Sequence, residues 1–235
     1  MIIERIAPKF KRATHVIFDL DGTLLDTERV YFDAIAAIAK RFGKEYTHGV
    51  AAKVVGTVER ESCRIAISEM ALPISVDEFQ REFRNLSQSH FKNNAVSLLP
   101  GAASLIRHLS QNKIPIAIAT SSSEDSVRLK ISAHRDLFKL FSHIVCGGSD
   151  PEVKAGKPSP DVFLVCANRF LDVPPPRKCL AFEDAPNGVR AAVDAGMQVV
   201  MIADHSVQEN FKKEATLTVD SLANVPLHNF GLPAL

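Results

Sequence analysis

Charge of one sign is missing: 28 Lys and Arg stand against 27 Asp and Glu, a net +1 over 235 residues. A balance this even supplies no long-range field to draw the chain onto nucleic acid or an anionic membrane, so a small molecule is the expected partner. Cysteine pairs are missing too. Cys63, Cys146, Cys166 and Cys179 form no C-x-x-C spacing, which argues against a disulfide framework or a zinc knot and suits core fillers in a reducing compartment. No apolar stretch approaches the roughly 20 residues that a membrane-spanning helix needs. The basic start (Arg5, Lys9, Lys11, Arg12) leads into Val16-Ile17-Phe18, which Asp19 and Asp21 interrupt at once. That is no secretory leader, and a soluble, cytoplasmic protein is expected. There is no internal repeat, no low-complexity tract, no metal-ligand spacing among the eight histidines, and no heptad or apolar stripe to mark an oligomer interface. A monomer is expected.

What is present is 46% hydrophobic, enough for one generous core or one core with a smaller insert. Short apolar runs recur at 15–20, 114–119, 143–146, 179–182 and 198–202. Because they do not alternate with polar residues, they read as strands covered on both faces, as in a parallel sheet. Helical patterns lie between the later runs, at 123–134, 160–170 and 185–195. The fold class is therefore α/β, a Rossmann-like doubly wound parallel sheet. Residues 29–98 break the rhythm with helical patterns alone: Tyr31, Ile35, Ile38 and Phe42 at spacings of four, three and four, then 61–70 and 76–91. Leu99-Pro100-Gly101 marks the return. The expected organisation is a core of 1–28 and 99–235 with a helical insert, 29–98, after the first strand.

Four clusters carry chemistry. Asp19-Leu20-Asp21-Gly22-Thr23 follows the first strand directly, placing two carboxylates where open α/β sheets bind ligands, although Asp-Gly is also an ordinary turn. Thr120-Ser121-Ser122-Ser123 ends the next strand; its hydroxyls could bind a phosphoryl oxygen or simply cap a helix. Lys157 stands between Gly156 and Pro158-Ser159-Pro160, stiffly held before a helix, where a lysine could neutralise transferring charge or point into solvent. Glu183-Asp184 ends a later strand and opens a helix, whose dipole alone could account for two acids. Two acidic pairs at one sheet edge would nevertheless repel unless a cation lay between them, and all-oxygen ligation suits magnesium.

In this order, each after a strand, the clusters resemble the haloacid dehalogenase superfamily over nearly the whole chain from His15. The helical insert is similar to the small cap of its phosphoglucomutase-like branch. The resemblance implies a phosphatase in which Asp19 is the nucleophile and Asp21 the general acid and base. It likewise implies that Thr120 and Lys157 bind the transferring phosphoryl group, and that Asp19, Asp21 through its carbonyl, Asp184 and an assisting Glu183 hold Mg2+. For its first task Asp21 must start protonated, and the crowding of acids is expected to raise its pKa. Segments 143–170, 179–189, 195–202 and 230–235 resemble, within that branch, phosphatases acting on pseudouridine 5′-phosphate.

Val55-Gly56-Thr57-Val58-Glu59-Arg60 is similar to the cap's specificity loop. Gly56, Thr57, Glu59 and Arg60 are therefore candidates for substrate contact, with Ser121 and Ser122 beside the phosphoryl group; a plain turn with exposed charges is the alternative. The cap is expected to hinge at 26–29 and 98–101. Related sugar-phosphate mutases carry an arginine where Glu59 stands and tend to have a histidine where Tyr31 stands. Glycerol phosphates, hexose phosphates and flavin mononucleotide are rival substrates. A non-catalytic metabolite-binding protein would be expected to lack one of the core acids, and none is missing.

Overall fold

The computed structural model describes residues 10–54, 59–203 and 212–235, with Ala52 described by its backbone alone. The five apolar runs form strands β1 (His15–Phe18), β2 (Ile116–Thr120), β3 (Ile144–Cys146), β4 (Cys179–Glu183) and β5 (Gln198–Ile202); a short β6 (Leu217–Val219) joins them. All pair in parallel, in the order β3-β2-β1-β4-β5-β6. The chain winds outward from β1 through β2 and β3, then returns to the other side of β1 with β4. The winding therefore reverses at β1, and a crevice opens beyond its carboxyl end.

Alternation along the strands fills both faces. Val16, Phe18, Ile118, Leu180 and Phe182 point to one side. There they meet α5 (Ala102–Gln111), α6 (Glu124–Lys130) and α7 (Arg135–Phe138) through Leu105, Val127 and Phe138. Ile17, Ala117, Ala119, Ala181 and Val199 point to the other. They meet α8 (Asp161–Asn168) and α9 (Pro186–Asp194) through Phe163, Cys166 and Val189. Coverage on both faces is why these strands carry no polar alternation. All four cysteines are free and buried. No described helix is long and apolar enough to cross a membrane.

Between β1 and α5 the described chain is helical: α1 (Glu28–Arg41), α2 (His48–Val54), α3 (Glu59–Met70) and α4 (Val76–Asn93). Ser75 caps α4 by accepting a hydrogen bond from the Glu78 N–H, the spacing of a capping box. These helices bury a cluster of their own, with Ile35, Ile38, Cys63, Ala66 and Phe79 at its heart. Each large apolar side chain buried there contributes about 1.5–3 kcal/mol, while Val30 of α1 and Phe91 of α4 pack into the sheet-face cluster instead. The segment's entry and exit run side by side: Asp26 N–H donates to the Ser97 carbonyl and Leu99 N–H to the Leu24 carbonyl, both at 2.9 Å.

Candidate active site

Strand register brings the acids together. Phe18 pairs with Phe182, so the next residues, Asp19 and Glu183, leave adjacent strands side by side. Both follow the parity of Ile17 and Ala181 and lean toward the α8 face. There Lys157 meets them: its Nζ lies 2.5 Å from Asp19 Oδ1, 2.5 Å from Glu183 Oε1 and 3.1 Å from the Ala119 carbonyl. The same ammonium sits 5.0 Å from the ring centroid of Phe163. Asp184 accepts a hydrogen bond from the Thr23 hydroxyl at 2.9 Å. Ligand oxygens of Asp19, Glu183 and Asp184 all lie within 4.8 Å of one another.

Two glycines make this crowding possible. Gly22 has φ +79°, and a Cβ there would fall 2.2 Å from Asp184 Oδ2. A Cβ on Gly188, in the first turn of α9, would fall 1.9 Å from Glu183 Oε1, which bonds Lys157. The other Glu183 oxygen accepts the backbone N–H groups of Asp184 and Ala185, so the carboxylate cannot give way without losing partners. Gly188→Ala is therefore expected to lower turnover by about 100-fold, the cost of misplacing a reacting group by an ångström, and to lower the melting temperature. Steady-state kinetics and a thermal melt check it; wild-type values for both would show that the Glu183 contacts are dispensable.

Burial drives the acids' titration. Asp19 is pushed up to about 8, chiefly by desolvation and further by Glu183 and Asp21, with Lys157 opposing. Asp184 is pushed well above the carboxylate range by desolvation, Glu183 and Asp19. Lys157 is buried as well, yet its two carboxylate partners outweigh desolvation and hold its ammonium above the ordinary lysine range.

Asp21 departs from expectation. Burial pushes its carboxyl up, but the Lys130 ammonium, with hydrogen bonds from Lys130 and Ser122, outweighs that and holds it below its ordinary value. Crowding among the acids raises Asp19 and Asp184, not Asp21. Lys130 Nζ lies 2.6 Å from Asp21 Oδ1, and Tyr31 Oη donates to the same oxygen at 3.3 Å. Oδ2 accepts from Ser122 Oγ at 2.8 Å and Thr120 Oγ1 at 3.4 Å.

Of the candidate residues, Asp19, Asp21, Thr120, Ser122, Lys157, Glu183 and Asp184 thus share one sheet edge, while Ser121 is exposed at the same turn. Gly56 and Thr57 lie outside the described residues. Glu59 and Arg60 begin α3 and are engaged by α4: Glu59 accepts from Gln80 and, at 2.7 Å, from Arg84, and Arg60 donates to Asp77 at 2.6 Å. Gln80 and Arg84 also line a polar groove of about 380 Å³ along α4, which none of the sheet-edge acids borders. Lys130 escapes a reading of the sequence by motif. Its one signal is position: three residues after the buried Val127 it falls on the inward face of α6, where lysine is uncommon.

A family model described as haloacid dehalogenase-like hydrolase matches residues 13–196. A Drosophila melanogaster protein named "Probable pseudouridine-5'-phosphatase" is 46% identical over 224 residues, 95% of this chain and 96% of that one. The Arabidopsis thaliana (DL)-glycerol-3-phosphatase 2 is 43% identical over 223 residues, 94% of this chain and 92% of that one. Among solved structures, a variant of CbbY from Rhodobacter sphaeroides in complex with xylulose-1,5-bisphosphate superposes with a TM-score of 0.73 at 25% identity. That match covers 94% of this chain and all of the other. With the parallel sheet and the acids at its edge, these likenesses show that the chain belongs to the haloacid dehalogenase-like hydrolase family and is a phosphatase within it.

Proposed function

We propose that this phosphatase is magnesium-dependent and hydrolyses pseudouridine 5′-phosphate to pseudouridine and phosphate through a phospho-aspartate on Asp19. The observation that carries the reading is the meeting of Asp19, Lys157, Glu183 and Asp184 at the carboxyl edge of the sheet, with Asp21 two residues from Asp19. The donor set fits Mg2+: the carboxylates of buried Asp19 and Glu183 and half-buried Asp184, within 4.8 Å of one another, offer oxygen ligands, and desolvation pushes the Asp19 and Asp184 carboxyls up, a cost that a cation would relieve. Asp19, Glu183, Asp184 and the Asp21 carbonyl would hold it. When bound, Mg2+ neutralises charge on the transferring phosphoryl group.

The chain's own residues do the rest. An Asp19 oxygen attacks phosphorus as the bond to the ribose oxygen breaks, and Asp21, protonated only in a minority of molecules because Lys130 favours its ionised form, gives that oxygen its proton. Water then attacks the phosphorus of the acyl phosphate, Asp21 takes the water's proton, and phosphate leaves with Asp19 restored. Lys157 and the Thr120 hydroxyl balance charge on the non-reacting oxygens. Residues 29–98 act as a cap over the core of 1–28 and 99–235, hinging at 26–29 and 98–101, beside the crossing where Asp26 bonds Ser97 and Leu99 bonds Leu24. Gly56, Thr57, Glu59 and Arg60 of the helical segment select the leaving group.

Support for the nucleotide comes from the Drosophila relative, which matches over nearly its whole length; glycerol 3-phosphate is the rival, on the Arabidopsis match. A panel of pseudouridine 5′-phosphate, uridine 5′-phosphate, glycerol 3-phosphate, glucose 6-phosphate and flavin mononucleotide, ranked by kcat/KM with Mg2+, separates them. Pseudouridine presents a ring N–H that uridine lacks, and a site built to bond such a group rejects its absence by orders of magnitude. The expected preference over uridine 5′-phosphate is at least about 10-fold, and chelation of magnesium should abolish turnover of every ester. A flat profile, or a preference for glycerol 3-phosphate, would sink the narrow assignment.

A further inference from the structure

Lys130 takes no part in either phosphoryl-transfer step, yet its side chain is only 1% exposed. Its ammonium lies between two parts of the molecule. On the sheet side it meets Asp21 Oδ1 at 2.6 Å and Ser122 Oγ at 2.7 Å. On the other it lies 5.6 Å from the ring centroid of Tyr31 in α1 and 5.3 Å from that of Phe91 in α4. Burying an ammonium is costly, and an apolar side chain of similar length would fill the space without that cost. The geometry uses the charge. Asp21 is held from both sides by four donors: Lys130 and the Tyr31 hydroxyl on one oxygen, Ser122 and Thr120 on the other. A carboxylate so engaged meets a new partner only by exchanging one of these bonds, and two of the groups that set the exchange, Tyr31 and the aromatic seat of Lys130, lie on the helical segment.

We propose that Lys130 is a positioning residue: it fixes the direction of the Asp21 carboxylate and, seated against Tyr31 and Phe91, makes that direction follow the placement of α1 and α4 over the sheet. The inference rests on the reading of Asp21 as the proton carrier. Lys130 itself neither gives nor takes a proton; the transfers remain Asp21 to leaving oxygen and water to Asp21.

Lys130→Met keeps the length and removes the charge. With p-nitrophenyl phosphate the phenolate departs without an acid, so formation of the phosphoenzyme is spared, while its hydrolysis still needs Asp21 as base. For this ester, Lys130→Met with Mg2+ should lose at least about 10-fold in kcat while kcat/KM stays within about 3-fold, and rapid quench should show a burst of nitrophenol of wild-type amplitude or larger. For an alkyl ester such as glycerol 3-phosphate, kcat and kcat/KM should fall together. Lys130→Arg, which keeps the charge, should recover kcat for both to within about 5-fold of wild type. Unchanged kcat, or a parallel loss of kcat and kcat/KM for both esters, would overturn the inference. If Lys130→Met shows no cooperative melt, Phe91→Leu decides: a lower kcat with preserved kcat/KM for the aryl ester supports the coupling, and wild-type kcat overturns it. Wild-type protein inactive on every ester would overturn the phosphatase reading and this inference together, whereas an active wild type with an indifferent Lys130→Met overturns this inference alone.

Discussion

Asp19→Asn should lose turnover by at least about 10⁴-fold, since an amide cannot form the covalent phosphoryl intermediate on which both half-reactions depend. The substitution keeps shape and leaves Lys157 its second carboxylate, Glu183, at 2.5 Å, so the fold has no reason to fail. It removes a carboxyl that burial pushes up to about 8. Near neutral pH the ionised form is the one the folded protein disfavours, and an uncharged amide relieves that cost. The expected pair of results is therefore an inactive protein that melts at or above the wild-type temperature in metal-free buffer. Phosphate release and label retained from ³²P-ester after acid quench read the first, and a thermal melt reads the second. Undiminished hydrolysis, or label still carried by the variant, excludes Asp19 as the nucleophile.

The site was legible wherever chemistry is written in local order. Asp19 and Asp21 directly after an apolar run, hydroxyls after the next, and Glu183-Asp184 after another are all fixed by strand ends, and parallel register does the rest. Lys157 was legible because turn-forming residues flank it. What stayed hidden depends on long-range contact. Lys130 reaches Asp21 across 109 residues, and that contact reverses the titration expected of Asp21. Ser121 and Ser122 are indistinguishable in sequence, yet only the latter turns to the carboxylate. Glu59 stands in a segment that reads as a substrate loop, and the partner the structure gives it, Arg84, comes from the next helix, α4, 25 residues on. Helix α5 follows directly on the Leu99-Pro100-Gly101 turn, whose breaker signal masks the helical spacing of Leu105, Ile106 and Leu109 behind it. Strand β6 is three half-buried residues at the sheet's edge, too short for period to show.

Lys157→Met tests the ion pairs that hold the acids in place. Its ammonium bridges Asp19 and Glu183 with all three side chains at 8% exposure or less. Removing one partner of a buried pair leaves uncompensated charge, at a cost of about 3–5 kcal/mol, and each kcal/mol moves the melting temperature by about 2–4 °C in a protein of this size. Loss of a cation aimed at the transferring phosphoryl group should also cut kcat by about 10²–10³-fold. The pH dependence fixes the cause. Lys157 opposes the upward shift of Asp19, so without it the folded state binds that proton still more tightly than the unfolded chain, whose carboxyl titrates near its ordinary value. Stability falls with rising pH wherever the folded state holds more protons, and protonated Asp19 needs no counter-charge. In metal-free buffer the deficit in melting temperature relative to wild type should therefore be largest near pH 8.5, above the wild-type Asp19 value, and should shrink toward pH 5.5. A deficit that is constant across this range, or that grows on acidification, would mean that Lys157 stabilises the protein by its packing on Phe163 and not by its charge.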